Sequence, residues 1–465
     1  MEDHPDHPRS DRNAHQSLAV GAPIGRAVGL LTVPTLIAQV VQTFGWLGEI
    51  YFVSGLGDEA TAAVGAVGQL GMFLMALMMM VSTSTTTLTA QRWGADDKVG
   101  AQAVVAAALQ QALLVGLLVW IIWPVRHWLW AFFRLSETVA HNADVYLLAS
   151  LFAGLPLSLS FAYMALFRGI GDMVSPLISV LLAVGSHLLL VFPFVHLWGL
   201  WGAGAALCLS RLLSLLFLLL RLRTSPLSVP LGSLRTVDRS VHAALLQLGL
   251  PAAIGSLSMT LAGAVYYAII SRVPDPVVAQ AALTTGMRVE ALAFMPGIAF
   301  AITAQTLVGQ NVGAGQWERA RQAAWQATGY AVGVMSAIGA IFFIFSEPIA
   351  NLFTNHPPTA AAIASYLRIN ALSEPFLAVA MSLGGALRGA GDTFSPALIS
   401  VFSLWIARMP ATYWLCAVAK KDLPFAWWVM ALSTALSGVL TAAVFQAKDK
   451  KARGWRPLPI GHPQS

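Results

Sequence analysis

Apolar runs of twenty or more residues, parted by short polar stretches, set the dominant pattern along the chain. Crossing the hydrocarbon core of a bilayer takes about 20 mainly apolar residues in a helix. Twelve runs meet that length, at roughly 27–54, 61–91, 99–123, 139–167, 173–196, 199–222, 241–272, 277–311, 319–346, 358–387, 393–418 and 424–447. The pattern therefore predicts an all-α integral membrane protein of twelve transmembrane helices. Several runs exceed the minimum, which predicts tilt or extension past the bilayer. Residues 1–25 are polar and read as a disordered tail rather than a metal-binding one, although His4, His7 and His15 lie among Asp and Arg. The segment 223–240, with Pro226, Pro230, Arg235 and Asp238, reads as a linker, and 448–465 as a basic tail.

The linker separates two copies of one plan. Arg168-Gly-Ile-Gly-Asp172 returns as Arg388-Gly-Ala-Gly-Asp392, with Ser-Pro after two further residues in each copy. Ala-Gln91-Arg-Trp-Gly94-Ala95 returns as Gly-Gln310-Asn-Val-Gly313-Ala314, and Pro34 has a counterpart in Pro251. The offsets of 220, 219 and 217 residues mark an internal repeat of six helices. Residues 26–222 then form one lobe and 241–447 a second. An even helix count gives both copies the same orientation, and transport sites lie near the midplane between such repeats. The Arg-Gly-x-Gly-Asp segments read as structural turns: glycine stops one helix and Asp caps the next.

Composition agrees with a lipid environment. Of 465 residues, 57% are hydrophobic and 10% charged, too few charges to cover a soluble protein of this length. The mean hydropathy is +0.70. The net charge of +6 would raise nucleic-acid binding in a soluble chain, but no basic stripe interleaves with aromatics on a polar segment. The 27 lysines and arginines instead orient the helices: with both termini cytoplasmic, eighteen fall on the cytoplasmic side and five outside. Arg211, Arg288, Arg368 and Arg408 fall within helices. Cys208 and Cys416 lie in apolar runs and read as small hydrophobes rather than as a disulfide or metal pair.

Ionisable groups inside a span are costly and mark sites. Glu49 lies near the end of the first span, and Gln39, Gln42, Thr43, Trp46 and Glu49 share one helical face. A carboxylate ending a polar stripe can exchange a proton or bind Na+; the alternative is a structural carboxylate near Asp58 and Glu59. Glu290 lies two residues from Arg288, a spacing that does not pair them on one face, so each needs another partner. His187, in the apolar fifth span, is a proton relay or a packed histidine. Glu374 before Pro375 and Arg408 before Met409-Pro410 read as structural groups at helix breaks. In the seventh span Ser256 and Tyr266 offer hydroxyls to a wet cavity or to neighbouring helices. No Gly-Lys-Ser/Thr phosphate loop occurs, so no ATPase and no cofactor is expected.

Taken together, Pro34 … Glu49-Ile-Tyr-Phe-Val-Ser-Gly55, Arg288-Val-Glu290 … Pro296, Thr306-Leu-Val-Gly-Gln310-Asn-Val-Gly313 and the paired Arg-Gly-x-Gly-Asp turns resemble the multidrug and toxic compound extrusion family. The resemblance runs from about 26 to 447 and implies two six-helix lobes around a V-shaped cavity. It further implies a monomer in the bacterial inner membrane that exports cationic amphiphilic drugs or metabolites against H+ or Na+. Glu49 falls where the family usually has a first-helix Asp, so the resemblance points to an N-lobe site of Glu49, His187 and Gln39. The seventh span lacks the acidic residue of the NorM-like branch, which leans towards the DinF-like branch. Two other functions remain open at this point. A flippase for lipid-linked saccharides or cell-wall precursors needs a cavity rich in Arg and Lys, for which only Arg211, Arg288, Arg368 and Arg408 are available. A membrane-embedded enzyme needs a catalytic cluster, and the scattered histidines supply none.

Overall fold

The structure, a computed structural model, describes residues 20–229 and 239–450, with the side chains of Trp46, Leu47, Ile50, Asp449 and Lys450 outside the description. Most of the 1–25 tail, the centre of the 223–240 linker and the tail beyond 450 thus lie outside the described residues, as do His4, His7 and His15. The first half comprises α1 (Ile24–Ser54), α2 (Asp58–Gly94), α3 (Lys98–Phe132), α4 (Glu137–Gly169), α5 (Val174–Trp198) and α6 (Leu200–Arg223). The second comprises α7 (Arg239–Ile270), α8 (Pro276–Gly313), α9 (Trp317–Ile344), a short helix Ser346–Phe353, α10a (Pro357–Ala371), α10b (Glu374–Gly389), α11 (Phe394–Val418) and α12 (Leu423–Lys450).

Among the described residues, eleven helices are long and apolar enough to cross a membrane. The remaining expected span, 358–387, is broken between α10a and α10b. Pro375 lacks an N–H and clashes with the carbonyl four residues back, which the helix cannot absorb here. Ser373 instead turns back on the Asn370 carbonyl, with its N–H at 2.9 Å and its hydroxyl at 2.8 Å. Pro410 acts more gently in α11, where π-helical turns at Phe402–Arg408 and Trp414–Val418 flank it. The two Arg-Gly-x-Gly-Asp turns superpose in their chemistry. Gly171 (φ 86°) and Gly391 (φ 93°) take the left-handed conformation that glycine adopts without strain. The Asp172 carboxylate then accepts from the Val174 and Ser175 N–H groups at 3.0 and 2.9 Å, and Asp392 accepts from the Ser395 N–H at 3.0 Å.

The two halves trade their leading turns. Ala27, Val28 and Leu31 of α1 pack into the core of the second half, among Ala320, Ala323, Leu387 and Phe445. Val241, Ala244, Leu245 and Leu248 of α7 pack into the core of the first, among Leu88, Trp93, Val104 and Phe167. Farther along, α1 returns to its own half, where Val53 joins Ala63, Val67 and Tyr146. Pro34 lies on the stretch between these two cores.

A reciprocal clasp joins the halves at the end where α1 begins and α12 ends. Gln91 donates to the Gly389 carbonyl at 3.0 Å, and its repeat partner Gln310 donates to the Gly169 carbonyl at 2.7 Å. Thr87 donates to the Arg388 carbonyl at 2.9 Å, and Thr306 to the Arg168 carbonyl at 3.1 Å. Contact this close needs helices without side chains at the crossing. A Cβ on Gly94 would lie 1.9 Å from the Gln310 carbonyl oxygen, and one on Gly313 would lie 1.9 Å from that of Gln91. The hydroxyl run Ser82–Thr87 leads into this clasp and is buried throughout.

Candidate functional site

The chain places one carboxylate site in each half. In the first half, α1 crosses α5 closely because Gly45 and Gly48 leave room. Added Cβ atoms there would come within 2.9 Å of Val184 and 2.3 Å of Leu188. This crossing sets half-buried Glu49 alongside α5. Its Oε1 accepts the hydroxyl of Tyr146 on α4, and it lies within electrostatic reach of Arg211 on α6 and His187 on α5. His187 is buried, and among the described residues its two ring nitrogens meet no partner at full hydrogen-bond geometry, although the ring approaches the Ala206 backbone.

In the second half, Glu290 of α8 accepts the hydroxyl of Tyr366 on α10a. Gly286, one turn earlier, makes that possible: a Cβ there would lie 2.3 Å from the Tyr366 ring. Trp427 of α12 braces the ring edge-on at 5.0 Å. Arg408 and Tyr266 share the electrostatic field of Glu290. Arg408 is fixed by Ser433 at 2.7 Å and Thr434 at 2.9 Å, so α11 presents its guanidinium from a π-helical turn. Glu374 opens α10b fully buried, both of its oxygens without a hydrogen-bond partner among the described residues, and it too feels Glu290.

The remaining residues singled out from sequence disperse. Thr43 donates to the Gln39 carbonyl at 3.1 Å and approaches the Met295 sulfur of α8 at 3.3 Å, so this part of the polar stripe faces the other half. Glu49 faces its own half, through Tyr146. Gln42 is exposed, and the Trp46 side chain lies outside the described residues. Ser256 is half-buried, and its carbonyl accepts from Thr260 at 3.2 Å. Tyr266 is buried and donates to the Ala426 carbonyl at 2.9 Å, inside the second half. Arg288 is exposed on α8, apart from the Glu290–Tyr366 pair.

Sequence reasoning missed the two tyrosines. They lie 220 residues apart, the offset of Arg168 and Arg388, so the repeat was the signal that pairs them. It keeps the tyrosine donor and moves the acid, from the first helix of one half to the second helix of the other. Chemically, each site holds a carboxylate under one neutral donor and one nearby cation. Such a group can change its charge at the cost of rearranging two partners.

The internal repeat agrees with what the chain resembles. The MatE family model matches residues 34–192 and 251–414, one segment in each half. The probable multidrug resistance protein YoeA of Bacillus subtilis is 25% identical over 92% of this chain and 95% of its own length. The probable multidrug resistance protein NorM of Pseudomonas aeruginosa is 27% identical over 92% of this chain and 90% of its own. Among solved structures, an outward-facing multidrug resistance MATE family transporter of the MOP superfamily shares the fold with a TM-score of 0.88, at 22% identity, covering 94% of this chain and 98% of that one. A MOP superfamily transporter from Pyrococcus furiosus, described as having a binding pocket of reversed polarity, matches equally well, with a TM-score of 0.88 at 22% identity. With both halves matched by its model, the chain belongs to the multidrug and toxic compound extrusion (MATE) family of membrane transporters.

Proposed function

We propose that this transporter exports cationic, amphiphilic small molecules in exchange for protons, with Glu49 as the coupling carboxylate and alternating access as the route. One observation carries the reading: a half-buried carboxylate on the first helix, held by Tyr146 and lying in the field of Arg211 and His187. Its surroundings favour H+ over Na+. A sodium ion wants several oxygen ligands with lone pairs turned towards it, whereas the Tyr146 hydroxyl donates and Arg211 repels a cation. A proton needs one oxygen and no shell.

Protonation of Glu49 removes the charge that compensates Arg211 and weakens the hold on α1. The helix can respond at Pro34, where it passes from one half to the other. Glu290, held by Tyr366, is a second proton-binding group in this scheme. The clasp end is cytoplasmic, and the working unit is a monomer of two lobes in a bacterial inner membrane. Each inward proton gains about 2.3 kcal/mol per 100 mV of membrane potential, which in one-for-one exchange offsets the equal cost of moving a monovalent cation outward and leaves the pH gradient as the net drive.

The test is uptake of a fluorescent organic cation into proteoliposomes under separately imposed pH and Na+ gradients. The pH gradient alone drives transport in the wild type, and Glu49→Gln abolishes that response while binding persists. Undiminished pH-driven transport by Glu49→Gln removes Glu49 from the mechanism; transport driven only by Na+ removes the proton.

A second reading rests on Arg211 and Arg408, one in each carboxylate site. Neutralising the neighbouring acid leaves a guanidinium free to receive an anionic group, as a flippase for lipid-linked saccharides requires. Tighter binding of lipid diphosphates than of organic cations, lost in Arg211→Gln, selects that reading.

A further inference from the structure

At the end of the second half opposite the clasp, Arg368 of α10a donates to Glu347 of the short helix Ser346–Phe353, Nη2 to Oε1, at 2.7 Å. The pair lies beside exposed apolar side chains. Arg368, Leu372 and Phe376 follow one another at intervals of four, all exposed. Ile344 and Phe345 before the short helix, and Leu352 and Phe353 at its end, are exposed as well. Arg368 lies eleven residues into α10a, at the end opposite the clasp, where a long side chain can reach towards a head-group layer.

Beside the ion pair is a cavity of about 440 Å³, bounded by Glu347, Asn351, Ala361, Ala364, Ser365 and Arg368. The small side chains of α10a create the room. The charges stay available, because 67% of the Glu347 side chain and 45% of the Arg368 side chain are exposed. An exposed ion pair contributes little to stability, so folding alone gives a weak reason to hold two charges on a lipid-facing surface. The cavity offers one negative and one positive group side by side, with an amide and a hydroxyl next to them. Its complement is a dipolar head group.

We infer that this cavity binds a zwitterionic phospholipid with a primary ammonium, of the phosphoethanolamine type, its phosphate on Arg368 and its ammonium on Glu347. Arg368 suits a phosphate because guanidinium donors match its oxygens in pairs. Glu347 selects an ammonium that donates hydrogen bonds. A quaternary choline has no such donor, and an uncharged glycerol head group leaves the carboxylate without a cation. The acyl chains would run along Leu372 and Phe376.

Native mass spectrometry of the full-length protein, washed in detergent with equimolar phosphatidylethanolamine, phosphatidylcholine and phosphatidylglycerol, tests the assignment. The wild type is expected to retain one phosphatidylethanolamine about tenfold over either competitor, the effect of one charge-assisted hydrogen bond. Glu347→Gln and Arg368→Gln each remove that preference. The charge-swapped variant, Glu347→Arg with Arg368→Glu, keeps an ion pair with its charges exchanged. A phospholipid anchored by its chains cannot reverse the order of phosphate and ammonium, so the swap also loses the preference. Equal retention of the three lipids by the wild type overturns the inference, as does a preference that survives the swap.

Discussion

Removing one arm of the clasp should open the end of the transporter that it closes. The Gln310 side chain is the sharpest handle, because its amide donates to a Gly169 carbonyl buried between the halves, at 2.7 Å. In Gln310→Met the volume is kept and the donor is gone. A buried carbonyl deprived of its donor costs about 1–3 kcal/mol, and the cost falls only on the closed arrangement, since water reaches the carbonyl once the halves part. That differential shifts the closed-to-open ratio by about 5- to 150-fold. Gly94→Ala attacks the same crossing sterically, by placing a Cβ 1.9 Å from the Gln310 carbonyl oxygen. Spin labels at Lys98 and Gln316, exposed at this end on opposite halves, report the separation by double electron–electron resonance. Both variants should populate a longer distance that is minor in the wild type. A distance distribution unchanged in both would refute the view that these contacts hold the end shut.

Two further outcomes follow from the second half. Gly286→Ala overpacks the Tyr366 ring, at a cost of about 1–3 kcal/mol, and displaces its hydroxyl from Glu290. Proton-driven transport should then fall as it does in Tyr366→Phe, and normal transport in Gly286→Ala beside a defective Tyr366→Phe would contradict this. Glu374→Gln replaces a buried carboxylate that has no hydrogen-bond partner among the described residues by a neutral group of its own shape, so the thermal unfolding midpoint should hold or rise. A fall of several degrees would mean that the carboxylate has a partner in the membrane.

The spans were legible because length and hydropathy are properties of single segments. The break in α10 and the π-helical turns of α11 were foreshadowed only by Pro375 and Pro410, since a proline can end, bend or widen a helix, depending on its neighbours. Glu49 and Glu290 stood out because charge inside an apolar run is rare. Their donors did not: Tyr146 and Tyr366 look like core aromatics until the helices are folded together. The face shared by Gln39, Thr43 and Glu49 divides because α1 passes between two bodies, so residues within a few turns meet different surroundings. Arg408 reads from sequence as a group at a helix break, but α11 runs on through a π-helical turn there, and that turn brings its guanidinium into the field of Glu290.

The traded leading turns of α1 and α7 carry a consequence for biosynthesis. A ribosome releases α1 to α6 before Val241 and Leu245 exist, so the earlier-made body waits with an unfilled apolar gap beside Leu88 and Trp93. Ala27 and Val28 likewise have no seat until the last helices arrive. Neither portion can mature alone, and the bilayer must shelter both gaps until translation ends.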